Sequence, residues 1–322
     1  MASRPAYSAN KPAVVVRFSH VVAEATPKGL AANRFQALVH QRSQGRISVQ
    51  VFPDGQLYSD RDEMQALQLG AVDLVAPSLS KFGRIGLTEF ELFDLPFLFE
   101  ELSDVRRITQ GALGRRLLKG LERQGLVGLG YFDNGFKQMS ANRPLLTPED
   151  FVGLRMRVQA SGVIADQMHA LGATPVTLGF NETRSALAAG VVNGTENPVS
   201  NFWTQGMHQV QSDLSLTNHA YLGYAVVSNQ RFWYHLRDAD RALLSQALQE
   251  SLTYANLIAD AQNDKALQAL RASNVTHIHT LSAAQRAGLR QAVAPVKTAL
   301  ARRIGEGWMQ ALQNAMASQA AV

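Results

Sequence analysis

Two arginines, Arg155 and Arg157, stand two apart in the run GLRMRV. Residues 154–158 read as a strand, and because strand side chains alternate with period two, the pair falls on one face. Such a pair is either the solvated face of an edge strand or a set of cations placed for an anion. Asn197, just before Pro198, can donate and accept through its amide, and can equally serve as a turn or N-cap residue. His20, Lys28, Asp60 and Ser78 stand at strand ends or helix starts. Open α/β sheets place ligand contacts there, and a structural role is the alternative for each.

Catalytic chemistry finds little support. The chain has no cysteine, which removes thiolate nucleophiles, thiolate metal sites and disulfides. No G-x-S-x-G, G-x-G-x-x-G or Walker A run occurs. His277 and His279 share one strand face, but no further ligand is spaced to complete a zinc site. Net charge is +5 with a pI near 9.6. The basic residues are spread out and do not interleave with aromatics, so a solvated surface is favoured over nucleic-acid binding, with a mild positive field that favours small anions.

These residues must be positioned by elements that 322 residues can build as two domains. No glycine-, serine- or proline-rich linker separates the halves, and no window reaches the run of about 18 apolar residues that a membrane span needs. Strands are expected at 14–18, 47–51 and 72–76, with a helix from Pro27 to about Gly45 between the first two. Asp60 and Glu63 read as a capping pair for a helix through Leu69. Residues 87–99 read as buried packing around Pro96, followed by one helix from Ser103 to about Gly120 and a strand over 126–132. Asp133-Asn134-Gly135 reads as a turn and the first crossing between domains. Thr147, Ser161 and Asn181-Glu182 open three helices within about fifty residues, the length a few βα units need. A strand over 224–228, a long helix from Asp238 to about Ala272, a strand over 275–280 and helices capped by Ser282 complete the chain.

The stretches GLRMRV, LGATPVTLGFNE, ALAAGVVNGTENP and NHAYLGYAVVSNQRFW occur in that order. They resemble solute-binding proteins of tripartite ATP-independent periplasmic (TRAP) transporters. FDNGFKQMSANRPL and APSLSKFG…ELFDLPFLF resemble the C4-dicarboxylate branch in particular. The resemblance implies an α/β, two-domain periplasmic-binding-protein-like fold with a ligand cleft between domains and a long helix spanning both. The domains expected are residues 13–134 with 222–262, and 135–221 with 263–322. It also implies a periplasmic monomer that captures a small organic acid, a C4-dicarboxylate such as malate, succinate or fumarate, and delivers it to a TRAP permease. No cofactor, metal, nucleic acid or catalysis is expected. Residues 1–12 lack the apolar core of a secretory signal, so the signal is expected to be absent from this sequence.

Residue by residue, the resemblance puts a ligand carboxylate on Arg157 through a two-pronged contact, aided by Asn197. Lys137 stands where many relatives carry an arginine that touches ligand, and two cations would serve two carboxylates. Phe180 stands where an aromatic ring packs the ligand's carbon chain. Arg155 is expected to be structural. Thr183-Arg184 departs from the usual Val-Tyr of the family. Within the class the alternative is a monocarboxylate or amino-acid-derived ligand, since one arginine suffices for one carboxylate. An enzyme, or a sensor that presents its ligand to a receptor, is the alternative outside it.

Overall fold

The computed structural model describes residues 12–317. The expectation for the N-terminal stretch, Pro12 apart, and the last five residues of the expected second domain lie outside them. Strand β1 (Val14–Ser19) leads to helix α1 (Pro27–Ser43), which begins with a proline and is capped by Thr26, whose hydroxyl accepts from Gly29 N. Strand β2 (Ile47–Phe52) pairs parallel to β1 and completes the expected βαβ unit. Helix α2 (Glu63–Gln68) and strand β3 (Leu74–Val75) follow. The capping pair is not formed: Asp62 occupies the N-cap, and Glu63 is buried against Lys81, because both carboxylates are drawn to that ammonium.

The aromatic segment forms a buried 3-10 turn over Thr88–Asp94. The single helix expected next is two, α3 (Leu102–Thr109) and α4 (Ala112–Gly120). The break falls at Gly111, where a Cβ would collide with the carbonyl oxygen of Arg107. Strand β4 runs unbroken over Leu126–Ala141, so Asp133-Asn134-Gly135 is not a turn. It is an irregularity in the β4 ladder, with Gly135 at φ +148°.

Beyond a 3-10 turn (Pro148–Phe151), β5 (Arg155–Val158), α5 (Gly162–Ala170), β6 (Thr174–Thr177), α6 (Thr183–Ala188), β7 (Gly194–Asn197) and α7 (Val199–Thr204) form the βα units expected there. Strand β8 is long, Asp213–Asn229. It is followed by α8 (Gln230–His235), the 36-residue α9 (Asp238–Ser273), β9 (His277–Thr280), and α10 (Ala283–Ala292), α11 (Pro295–Ile304) and α12 (Glu306–Ala317).

Among the described residues, nine strands form one mixed sheet in the order β2-β1-β3-β8-β4-β7-β5-β6, with β9 also on β8. The antiparallel β4–β8 ladder is its spine. One end of it carries β3 (Leu74 opposite Ser228), and the other carries β7 (Ala141 opposite Gly194) and β9 (Asp213 opposite His277). Period-two alternation along β8 feeds two cores: Tyr221, Ala225 and Val227 enter one with Phe82, Phe90 and Ile164, while Leu222, Tyr224 and Val226 enter the other with Phe18, Phe35 and Leu248. The α/β class and the long helix expected from the sequence are both present.

Helix α9 lies along this spine, packed on α1, β4 and α7. Two asparagines on it satisfy backbone groups where the ladder slips. Asn256 Oδ1 accepts from Asp133 N at 2.8 Å; Asn263 Nδ2 donates to Asn134 O at 2.7 Å, and its Oδ1 accepts from Ser200 N at 3.0 Å. Asn263→Ala is expected to lower unfolding free energy by about 1–2 kcal/mol, the cost of leaving two part-buried backbone groups without partners. A urea midpoint equal to that of the parent chain would show that water replaces the amide.

Candidate functional site

Arg157 owes its place to strand alternation. Met156 and Val158 enter one core, so Arg157 projects from the opposite face, beside Thr195 of β7 and Val176 of β6. It is 1% exposed. Its Nε donates to Leu178 O at 3.0 Å, its guanidinium lies 5.9 Å from the centre of the Phe180 ring, and Nη2 has no hydrogen-bond partner among the described residues. Burial pulls its pKa below the ordinary value, while the Asp60, Glu196 and Glu182 carboxylates oppose that pull. Arg155 is exposed and donates to Val191 O and Gly190 O, closing the loop after α6.

Four of the sequence-derived candidates line one narrow cleft: Asp60, Ser78, Phe180 and Asn197. Asn197 ends β7, its Nδ2 donating to Thr195 Oγ1 at 3.2 Å; the N-cap of α7 is Pro198, so capping is not its role. Phe180 begins a 3-10 turn, and its N–H donates to Asp60 Oδ2 at 3.0 Å. Ser78 Oγ accepts from Gln159 Nε2 at 2.8 Å.

Asp60 cannot itself hold an anion. Burial opposes its charge, but Lys81, Arg157 and the Phe180 N–H outweigh this and hold its carboxyl below the ordinary value. Lys81 reaches both Asp60 and, at 2.5 Å, Glu63 Oε1. An ionised Asp60 can accept from a ligand hydroxyl and fix the Phe180 turn; it repels a carboxylate.

His20 and Lys28 stand behind the cleft wall rather than in it, both fully buried. Lys28 Nζ donates to Ala76 O at 2.8 Å and sits 3.6 Å above the ring of Tyr224, which does line the cleft. Burial first, and Lys81 second, lower its pKa to about 7, against Glu63 and Asp60. Neither ring nitrogen of His20 has a partner among the described residues, and burial with the Lys28 charge lowers its pKa to about 3. An uncharged imidazole beside an ammonium spares the site a second desolvated cation.

Lys137 is not brought to the cleft. It projects from the other face of the sheet, 1% exposed, with Nζ 2.7 Å from Glu196 Oε1, and Glu196 Oε2 lies 2.8 Å from His219 Nε2. Glu196 alternates with Asn197 along β7, so it faces away from the cleft, and burial of its carboxylate is offset by Lys137 and His219, which lower its pKa to about 2. The lysine's charge is thereby neutralised within the protein. His277 and His279 approach Asp213 at 3.8 and 2.7 Å. Among the described residues no group of three or more His, Cys, Asp or Glu could hold a metal ion.

Tyr224, Asn201 and Gln159 also line the cleft, and the sequence reading missed them. The Tyr224 hydroxyl accepts from Asn134 Nδ2 at 2.8 Å and Asn201 Nδ2 at 3.2 Å, so its own hydrogen is free to donate into the cleft. Burial raises its pKa to about 12, which keeps that hydrogen in place at neutral pH. Period-two alternation along β8 was the signal available for Tyr224. The cleft thus combines hydroxyl and amide donors, an apolar wall (Val21, Val22, Leu222, Phe180) and a partly unpartnered guanidinium behind it. Those are the parts needed to hold a small carboxylic acid without transforming it.

A family model described as bacterial extracellular solute-binding protein, family 7, matches residues 18–303. The chain is 48% identical to the C4-dicarboxylate-binding periplasmic protein DctP of Rhodobacter capsulatus, over 94% of this chain and 91% of that one. Its structure resembles that of a TRAP periplasmic solute-binding protein from Shewanella oneidensis with bound succinate (TM-score 0.92, 42% identity, 95% of this chain and 100% of that one). A second match is a TRAP periplasmic solute-binding protein from Pseudomonas aeruginosa with bound L-malate (TM-score 0.87, 38% identity, 89% of this chain and 99% of that one).

Proposed function

This chain belongs to the bacterial extracellular solute-binding protein family 7, and on that premise we propose that it captures a C4-dicarboxylate such as succinate, fumarate or malate and delivers it to a TRAP-type membrane permease in the periplasm. The observation that carries this reading is Arg157: a fully buried guanidinium with an unused donor, set beside a cleft of hydrogen-bond donors. The structure leaves it half-partnered, and a carboxylate completes it. Asn197 adds an amide to the same carboxylate, and Phe180 packs the carbon chain. At the far wall the Tyr224 hydroxyl donates to the second carboxylate, with the Lys28 ammonium behind the ring, His20 beside it and Ser78 at the edge.

Closure on the ligand is part of the same proposal. The two expected domains meet at the β4–β8 spine, with the hinge at the β4 irregularity around Asp133–Gly135. Ligand contacts from both sides stabilise the closed state by their difference from the open one. The names of the similar proteins support the ligand class, and DctP of Rhodobacter capsulatus is named periplasmic.

One observation favours a second reading. Lys137, the second cation expected from the sequence, is committed to Glu196, which leaves Arg157 to meet a single carboxylate in the inner cleft. Calorimetry on protein unfolded and refolded to strip carried-over ligand separates the two. Succinate is expected to bind at least about tenfold more tightly than butyrate, the loss of one charge-assisted contact. Equal affinity for the two acids would overturn the dicarboxylate reading in favour of the monocarboxylate one.

A further inference from the structure

Beside the cleft lies a recess lined by Arg61 and Arg84 together with Thr177 and Ala160. Asp60 and Gln159 line both the recess and the inner cleft, so the two spaces adjoin across these side chains. The recess lining holds three cations, Arg61, Lys81 and Arg84, against one carboxylate, Asp60, and that carboxylate is taken by Lys81 and the Phe180 N–H.

The two outer arginines differ. Arg61 Nη2 lies 2.9 Å from Glu182 Oε2. Glu182 also accepts from Gly179 N at 2.7 Å, in the turn that carries Phe180. Arg84 is exposed and has no ion-pair or hydrogen-bond partner among the described residues, whereas Arg17, Arg42, Arg286 and Arg303 each reach a carboxylate. Lys81 is compensated by Asp60 and Glu63, and Arg61 by Glu182, so Arg84 carries the uncompensated charge of the recess, and an unpaired guanidinium at a concave rim raises the local concentration of anions and speeds their arrival.

We propose that this recess is an outer anion station: a dicarboxylate meets Arg84 and Arg61 first and passes from there to Arg157, with Arg61 turning to Glu182 once the cleft has closed. The proposal rests on the organic-acid reading above and adds a division of labour. Arg84 governs how fast ligand arrives, and Arg157 governs how long it stays.

Stopped-flow tryptophan fluorescence with succinate tests this, with Trp203 two residues from Asn201 as the reporter. At about 10 mM salt, where charges act over roughly 30 Å, Arg84→Gln is expected to lower the association rate about threefold and Arg84→Glu about tenfold. The dissociation rate should stay within about twofold of the parent, and the difference in association should vanish near 1 M salt, where screening acts within about 3 Å. Arg271→Gln and Arg271→Glu, in the last turn of α9 and outside the recess lining, change net charge as Arg84→Gln and Arg84→Glu do and are expected to leave the association rate unchanged. An Arg84→Glu association rate equal to the parent's, or one matched by Arg271→Glu, would overturn the station while leaving the ligand assignment intact. A parent chain that gives no response to succinate would overturn the ligand assignment itself.

Discussion

Arg157→Ala is expected to weaken succinate binding by roughly a hundredfold while leaving the unliganded chain no less resistant to urea. The loss corresponds to about 3 kcal/mol, the usual scale when one partner of a desolvated, hydrogen-bonded charge pair is removed. The second half of the expectation distinguishes this residue from a structural arginine. In the unliganded chain the guanidinium is buried with Nη2 unpartnered, which costs free energy, and its one neutral hydrogen bond, to Leu178 O, returns little of it. Alanine relieves that charge and leaves a space beside Phe180 that water can fill from the cleft. The two effects oppose each other, so the urea midpoint should move little. Arg157→Lys keeps the charge but not the fork, and should recover only part of the affinity. Calorimetry on Arg157→Ala that returns the parent affinity would sink the role. A variant that fails to bind but also unfolds early would make Arg157 a structural strut instead.

The strand that carries Arg157 was legible because its cause is local, a short run with a period of two, whereas the burial of Arg157 beside an exposed Arg155 was not. Lys137 was misplaced because its partner, Glu196, is 59 residues away and reaches it only through the β4–β7 ladder. No spacing rule reports such a pair, and the same lysine could have lined the cleft had β4 slipped by one residue. The β4 irregularity failed for a related reason. Asp-Asn-Gly is turn chemistry locally, and it stays in an extended strand because Asn256 and Asn263 of α9 satisfy the backbone groups that the ladder leaves over. Tyr224 reads as core from its neighbours in β8; its hydroxyl is held at the cleft by Asn134 and Asn201, which sit on other elements. Two helix starts, by contrast, were visible in their caps, which act within four residues: Ser161 accepts from Ile164 N and Ser282 from Gln285 N.

Raising the pH from 7 to 8.5 is expected to weaken succinate binding by up to about tenfold, with proton uptake on binding over that range. The cause is Lys28. Burial, with Lys81 adding, lowers its pKa to about 7, so above pH 7 the free protein holds it largely neutral. A dianion at the Tyr224 wall favours the ammonium and raises that pKa, so binding above pH 7 draws a proton from solution, and affinity falls as that proton becomes scarcer. His20, Tyr224, Asp60 and Lys81 do not share the transition, since each is shifted away from it. His20 titrates near 3, Tyr224 near 12, Asp60 is held ionised, Lys81 is held charged by Glu63 and Asp60 in spite of burial, and Glu63 is pushed up by burial from the acid side. For the unliganded fold the sign is opposite to that of an ion-paired lysine. The unfolded chain binds more protons at this position between pH 7 and its ordinary value of 10.5, so the lysine's contribution to stability rises with pH through that window. Lys28→Met keeps the length of the side chain and removes the titration. It should flatten the pH dependence of binding between 7 and 8.5 and erase the difference in apparent enthalpy between phosphate and Tris buffers that proton uptake produces. A Lys28→Met chain whose binding still falls with pH as the parent's does would assign the proton elsewhere and remove Lys28 from the ligand's second carboxylate.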